Sequence, residues 1–180
     1  MQQWRDYKAS NPSADLELFL RSDLGAPPRS DLRPLVGICC YSLLPNHYHF
    51  ILHQYIKNGI TEFMRKLSTG HTMFFNKKYD RNGVLFQGKF KAIHIKAAHH
   101  LQYLSAYVNC NSEVHGIVKA EAYRWSSFLE YIGKGKGGLR AEGKKTILDD
   151  FKDGEDYKKF AKENAKHFRE KKIDEKLMLE

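Results

Sequence analysis

The apolar and polar positions of this chain fall into runs of two periods. Residues 35–44 are apolar and rich in β-formers, which predicts a buried strand. Pro45-Asn46 follows as a turn signal, because proline cannot donate to a sheet ladder. Residues 47–54 alternate again, so the two runs predict an antiparallel hairpin with His47 just past its turn. Alternate side chains of a strand share a face, which places His47 and His49 together, roughly 6–7 Å apart. Tyr48, Phe50 and Leu52 then point the other way, toward a core.

The period then lengthens. Ile60, Phe63, Met64, Leu67, Phe74 and Phe75 recur at helical spacing behind Asn58, a residue suited to cap that helix. Gly70 interrupts without a proline, so one helix is expected. Asp80-Arg81-Asn82-Gly83 reads as a tight turn, and residues 84–95 as a long strand, with Gly88 marking a bulge or a close backbone approach. A second helix is expected from Ala97 to Asn109, with Leu101, Leu104 and Val108 buried. Tyr103, Tyr107 and Asn111 lie at i, i+4 and i+8 and share a different face of it.

The ends read more weakly. Ser13 is placed to cap a helix over residues 15–20, and Gly25-Ala26-Pro27-Pro28 ends it. Residues 128–132 suggest a short helical piece, and residues 133–138 a flexible basic linker. Two further helical pieces follow, marked by Ile147, Leu148 and Phe151, then by Tyr157, Phe160, Ala161 and Phe168. This tail is either an amphipathic helix packed on the domain or a basic arm against phosphates. The order helix, strand, strand, helix, strand, helix is an α+β pattern. It lacks only an opening strand to be a ferredoxin-like fold followed by an extra helix.

Charge narrows the partners. A net charge of +9 and a pI near 9.4, with many aromatics, favour a polyanion, nucleic acid before membrane. Cys39, Cys40 and Cys110 form no disulfide framework, and no Cys-x-x-Cys offers a thiolate zinc site. No signal-type or membrane-length apolar run is present, which reads as a cytoplasmic protein. Two imidazoles on one strand face are half of a metal site, although His-x-His alone is more often two surface histidines. Asn111 offers a carboxamide oxygen as third ligand, and such a set suits Mg²⁺ or Mn²⁺ better than Zn²⁺. Beside a metal-polarised phosphate, a tyrosine hydroxyl becomes a competent nucleophile. By spacing alone either Tyr103 or Tyr107 qualifies.

Four elements in order resemble one family. Pro45-Asn46-His47-Tyr48-His49-Phe50-Ile51-Leu52 resembles the Pro-Asn-His-hydrophobic-His core of the single-tyrosine HUH transposases, the insertion-sequence 200-like group. Residues 76–91 resemble that family's segment between its long helix and last strand. Tyr107-Val108-Asn109-Cys110-Asn111 resembles its Tyr-Ile-x-x-Asn-Pro element, and Tyr123-Arg124-Trp125-Ser126-Ser127 the Tyr-x-Trp-Ser-Ser element of the REP-associated tyrosine transposase branch. The resemblance implies a ferredoxin-like antiparallel sheet with helices on one face, and a divalent metal, Mg²⁺ or Mn²⁺, held by His47, His49 and Asn111. It selects Tyr107 over Tyr103 as nucleophile. It implies hairpin-forming or palindromic single-stranded DNA as substrate, cut and rejoined through a 5′-phosphotyrosine. A homodimer that exchanges the tyrosine helix and a monomer both fit.

The expected organisation is an N-terminal helix and loop (1–34), the catalytic domain (35–132), and a basic linker with helical tail (133–180). Arg65, Lys89, Lys91, Lys96 and Arg124 are the expected phosphate contacts, and Trp125, Tyr123 and Phe86 the expected stacking platforms. Gln87 is a candidate to face the site from the last strand. Two departures stand out. Serine occupies position 112, where the family has proline, and no opening strand is legible before Ser13. Without that strand an edge beside the histidines lies unpaired. The competing readings are a catalytically silent DNA-binding descendant, and a metal-dependent phosphodiesterase in which Tyr107 is structural.

Overall fold

Pro45 and Asn46 reverse the chain as expected, and Leu44 donates its N–H to His47 O at 2.8 Å. The turn joins β1 (Val36–Leu43) to an antiparallel β2 (Tyr48–Gln54) in the computed structural model, which describes residues 34–135, 139 and 141–177. The readings at residues 13–28, and the opening strand sought before Ser13, lie outside the described residues. The register slips between Ile38 and Cys40. Such a bulge breaks strict alternation, so Cys39 and Cys40 are both buried.

The Tyr-Arg-Trp-Ser-Ser element lies along the outer edge of β1. Leu43 N–H donates to Trp125 O (2.8 Å), Ser127 N–H donates to Tyr41 O (3.0 Å), and Ser42 bridges Ser126. Part of an edge that would otherwise be open is thereby occupied.

The first long helix, α1 (Gly59–Lys78), runs unbroken through Gly70. Its start differs from expectation. Asn58 is left-handed (φ 61°) and makes no side-chain cap; Gln54 Oε1 accepts the Ile60 N–H instead, at 3.1 Å. The second, α2 (Ala98–Asn109), is followed at once by the single turn α3 (Asn111–Val114). A 3₁₀ turn (Ala120–Ala122) and α4 (Phe128–Tyr131) lead to α5 (Ala141–Leu148) and α6 (Gly154–Leu177).

The protein is α+β, as expected, but the sheet is narrower. Among the described residues it holds two strands, not the four of a complete ferredoxin-like sheet. Residues 84–95 form no strand. Val84 and Ile93 are 83% and 87% exposed, and a side chain at Gly88 would point into open space. A strand is made by its partner rather than by its own propensity, and no other strand among the described residues lies beside this run.

The core also lies on the other side of the hairpin from the one expected. Tyr48, Phe50 and Leu52 are only half-buried, with Phe50 meeting Phe63 of α1 at 6.2 Å between ring centroids. Ile51, on the histidine face, joins the main core with Ala106, Val108 and Phe128. Helices therefore reach the hairpin from both faces. The tail completes this core: Ile147 of α5, and Tyr157, Ala161 and Ala165 of α6, are buried in it.

Candidate active site

The hairpin turn sets His47 and His49 edge to face, with ring centroids 5.1 Å apart and planes at 88°. His47 Nδ1 lies 2.7 Å from Asn46 Oδ1. A carboxamide oxygen only accepts, so Nδ1 carries the proton and Nε2 presents its lone pair. This is the arrangement by which a neighbouring oxygen orients a metal-ligating histidine.

Helix α2 supplies the phenol. Tyr107 lies T-shaped against His49, with centroids 5.6 Å apart. On another side it meets Phe168 of α6 at 5.1 Å. Tyr103, one turn earlier, meets the same Phe168 at 4.5 Å. Of the two tyrosines on this stripe, Tyr107 is the one in ring contact with the histidine pair.

Asn111, the next group on the stripe, is fully buried. Its Nδ2 lies 3.5 Å from Tyr107 O, while its Oδ1 is buried with no hydrogen bond among the described residues. A buried acceptor left so costs about 1–3 kcal/mol. An oxygen of that kind, one helical turn after the tyrosine whose ring touches His49, is a donor type that a hard or borderline cation accepts. The donor types present, two imidazoles and a carboxamide oxygen, are ones a divalent ion accepts. Among the described residues no three His, Cys, Asp or Glu side chains converge to hold one as they stand.

One neighbour was not anticipated. His115 lies 5.2 Å from His47 between ring centroids. The signal was present, since His115 continues the stripe at i+8 from Tyr107. With nine histidines in the chain it did not stand out.

The expected DNA contacts are scattered. Lys89, Lys91 and Lys96 are exposed along the segment that forms no strand. Arg65 is exposed, but Glu62 holds it through two bonds of 2.9 and 2.7 Å. Arg124 stacks over Trp125, 4.6 Å from the ring, and Trp125 is 50% exposed rather than a core anchor. Tyr123 is engaged, donating its hydroxyl to Leu43 O at 2.5 Å. Phe86 packs on Tyr48 and His71, and Gln87 is exposed. The thiols are no alternative nucleophiles: burial pushes Cys40 well up and Cys110 up to about 12.

Helix α6, which brings Phe168 to Tyr107, is tied down by Lys162. Its Nζ reaches Glu113 Oε2 at 2.5 Å and Glu121 Oε2 at 3.0 Å. Burial alone would raise the Glu121 carboxyl, but a backbone hydrogen bond and Lys162 hold it below its usual 4.5. A carboxyl lowered by folding contributes stability that is present above the unfolded value and lost as pH falls through the folded one. Lys162→Met is expected to cost about 1–2 kcal/mol at pH 7, after allowing for solvent screening. Urea titrations of both proteins at pH 7 and pH 3 check this, and the gap between them should shrink at the lower pH.

Residues 35–111 match the family model described as "Transposase IS200 like". No curated protein and no solved structure matches the chain.

Proposed function

From the match of residues 35–111 to the IS200-like transposase family, we propose that the chain is a transposase of that family and that it nicks and rejoins single-stranded, hairpin-forming DNA through Tyr107. A transposase role and a DNA substrate follow from the family. The finer reading is carried by one observation, the contact of Tyr107 with His49 beside the His47–His49 pair. Among the described residues no helix is long and apolar enough to cross a membrane.

In this reading His47, His49 and Asn111 hold Mg²⁺ or Mn²⁺. So held, such an ion supplies positive charge against the non-bridging oxygens of the scissile phosphate. The Tyr107 oxygen attacks phosphorus, and its proton is released. The bond from phosphorus to the 3′-oxygen breaks, and that oxygen leaves as a hydroxyl after taking up a proton. A 5′-phosphotyrosine remains. Its ester energy is conserved, so a different 3′-hydroxyl can attack phosphorus and free Tyr107 without a nucleotide cofactor. Helix α2 fixes the approach of the phenol, and the rings of His49 and Phe168 restrict its swing. The Tyr123–Ser127 element supports the REP-associated branch.

A silent DNA-binding descendant is favoured by a different observation, the missing last strand at residues 84–95. End-labelled hairpin DNA incubated with the protein and Mn²⁺ separates the readings. A covalent adduct supports the nicking enzyme. Retarded but uncut DNA supports the silent binder. Cleavage with no adduct supports a phosphodiesterase using water.

Lys89, Lys91 and Lys96 give a separate expectation. Single-stranded DNA contributes about 0.7 to the salt slope per neutralised phosphate. Replacing all three with Gln should therefore flatten log Kd against log salt by about 2. Arg65→Gln should change it less, because Glu62 already neutralises that guanidinium. Fluorescence anisotropy from 50 to about 300 mM salt measures both.

A further inference from the structure

We infer that Trp125, Leu43 and Tyr48 form a platform on which unpaired DNA bases stack, on the sheet face turned away from His49. The inference takes DNA as ligand from the reading above but does not depend on Tyr107 as its nucleophile.

The row follows from strand register. Across the hairpin Leu43 is paired with Tyr48 and Ser42 with His49, and Ser42 is bridged to Ser126 on its other side. Leu43 N–H donates to Trp125 O, so the Tyr123–Ser127 element carries the register one residue further. Side chains directly opposite one another share a face, and successive residues alternate. His49, Ser42 and Ser126 therefore lie on one face, and Tyr48, Leu43 and Trp125 on the other. Burial agrees, for Ser42 and Ser126 are buried whereas Leu43 is 38% and Trp125 50% exposed. Helix α1 meets this second face further from the turn, where Phe63 packs on Phe50.

The chemistry of the row selects its occupant. Trp125 and Tyr48 stand two strand spacings apart, about 10 Å, so each can carry a base of its own. Phe50 and Phe86 hold the Tyr48 ring at 5.3 and 5.8 Å between centroids, and the Tyr123 hydroxyl on Leu43 O steadies the row from behind. Rings fixed before a ligand arrives lower the ordering cost of binding. Arg124 lies 4.6 Å from the Trp125 ring, and Trp125 is half exposed with that guanidinium in place. An apolar protein partner has no use for a cation there, whereas a base joined to its phosphate matches both ring and charge. The net charge of +9 favours the same ligand. Duplex DNA hides its base faces in its own stack, so the strand on this surface is single.

Position then sets the role. A strand lying here has the sheet between it and His49, so the nucleotides held are not those that meet Tyr107. They flank the cut. Losing the platform should weaken binding without slowing the reaction at saturation.

Trp4→Phe leaves Trp125 as the sole tryptophan for the test. In that protein, oligothymidine of about ten nucleotides should quench the fluorescence, and a blunt duplex of equal length should not. Trp125→Ala should weaken oligothymidine binding roughly 5- to 100-fold, the loss of one stacked base, and Trp125→Phe should restore most of it. Tyr48→Ala should act in the same direction. With labelled hairpin DNA carrying a single-stranded flank, Trp125→Ala should raise the half-saturating concentration, while adduct formation at saturation stays within about twofold. Equal quenching by both DNAs, or unchanged affinity in Trp125→Ala, overturns the inference and leaves the nicking reading intact. The expected quenching and loss of affinity in a protein that forms no adduct would sustain the platform while the nicking reading fails. Slower adduct formation at saturating DNA with affinity unchanged would place Trp125 at the reaction itself and overturn the platform. Self-association abolished by Trp125→Ala, with no effect on DNA, would make the row a contact between copies instead. Circular dichroism checks that the exposed position tolerates alanine.

Discussion

Tyr107→Phe is expected to eliminate the covalent protein–DNA adduct altogether, while leaving DNA affinity within about twofold. The change removes one oxygen and keeps the ring. The contacts that position that ring, 5.6 Å from His49 and 5.1 Å from Phe168, are made between centroids and do not need the hydroxyl. Melting should therefore move little, since losing a half-exposed hydroxyl costs about 1 kcal/mol or less. Covalent chemistry has no substitute nucleophile here. The thiols are buried and held protonated, and Tyr103 packs with Phe168 one turn away. Losing a nucleophile outright costs on the order of 10³-fold or more in rate. Tyr103→Phe, its natural control, should retain the adduct. A denaturing gel of labelled hairpin DNA reads both. Were Tyr103→Phe the variant that lost the adduct, the nucleophile would be wrongly assigned. Were cleavage to persist in Tyr107→Phe with no adduct, water would be the attacking group.

Much of the fold is legible in the residues because the signals are local, whereas spacing alone leaves Tyr103 and Tyr107 equal and only the family pattern selects Tyr107. A turn residue pair between two β-rich runs specifies a hairpin, and apolar spacing of three and four specifies α1 and α2. What is not legible depends on residues distant in sequence. The run at 84–95 has strand composition, but a strand requires a neighbour, and composition cannot report whether one is there. The face of β2 that enters the main core depends on where α2 and α6 dock, so Ile51 is buried beside the histidines while Phe50 is not. Asn58 has the chemistry of a cap, yet its backbone is left-handed and Gln54, four residues earlier, takes the role. Trp125 is expected to offer a stacking face, and its ring is indeed left outside, but the sequence does not disclose that its backbone bonds to Leu43 and that Arg124 already lies over the ring. His115 escapes notice because only the tertiary structure brings it to His47.

Asn109→Leu is expected to be among the most destabilising single changes, for a reason that the sequence pattern around Tyr107 does not disclose. Asn109, between Tyr107 and Asn111 in the chain, is fully buried and faces the core. Its Nδ2 donates to Tyr157 Oη at 2.7 Å, and its Oδ1 accepts the Ser127 hydroxyl at 2.5 Å. Ser127 Oγ in turn accepts the Tyr41 N–H at 2.9 Å. Ser105 donates to Gln102 O, so Tyr157 is left to donate to Ser105 Oγ at 3.1 Å. The chain of bonds has one consistent direction and joins β1, α2, the Tyr123–Ser127 element and α6. Burial holds the Tyr157 hydroxyl far above its ordinary ionisation range, so it stays a donor at any working pH. A leucine at 109 removes one donor and one acceptor at once and strands the lone pair of Tyr157 in a dry interior. The cost should be about 2–4 kcal/mol, a melting shift of roughly 5–12 °C for a domain of this size. Tyr157→Phe removes the orphaned partner, so adding it to Asn109→Leu should cost less than the two single losses combined. Because the same bonds anchor both α2 and α6, a loosened network should also free Phe168 from Tyr107 and depress adduct formation at temperatures well below unfolding. Chemical denaturation of the two single variants and the double variant measures the coupling, and strict additivity would show that these bonds do not act as one network.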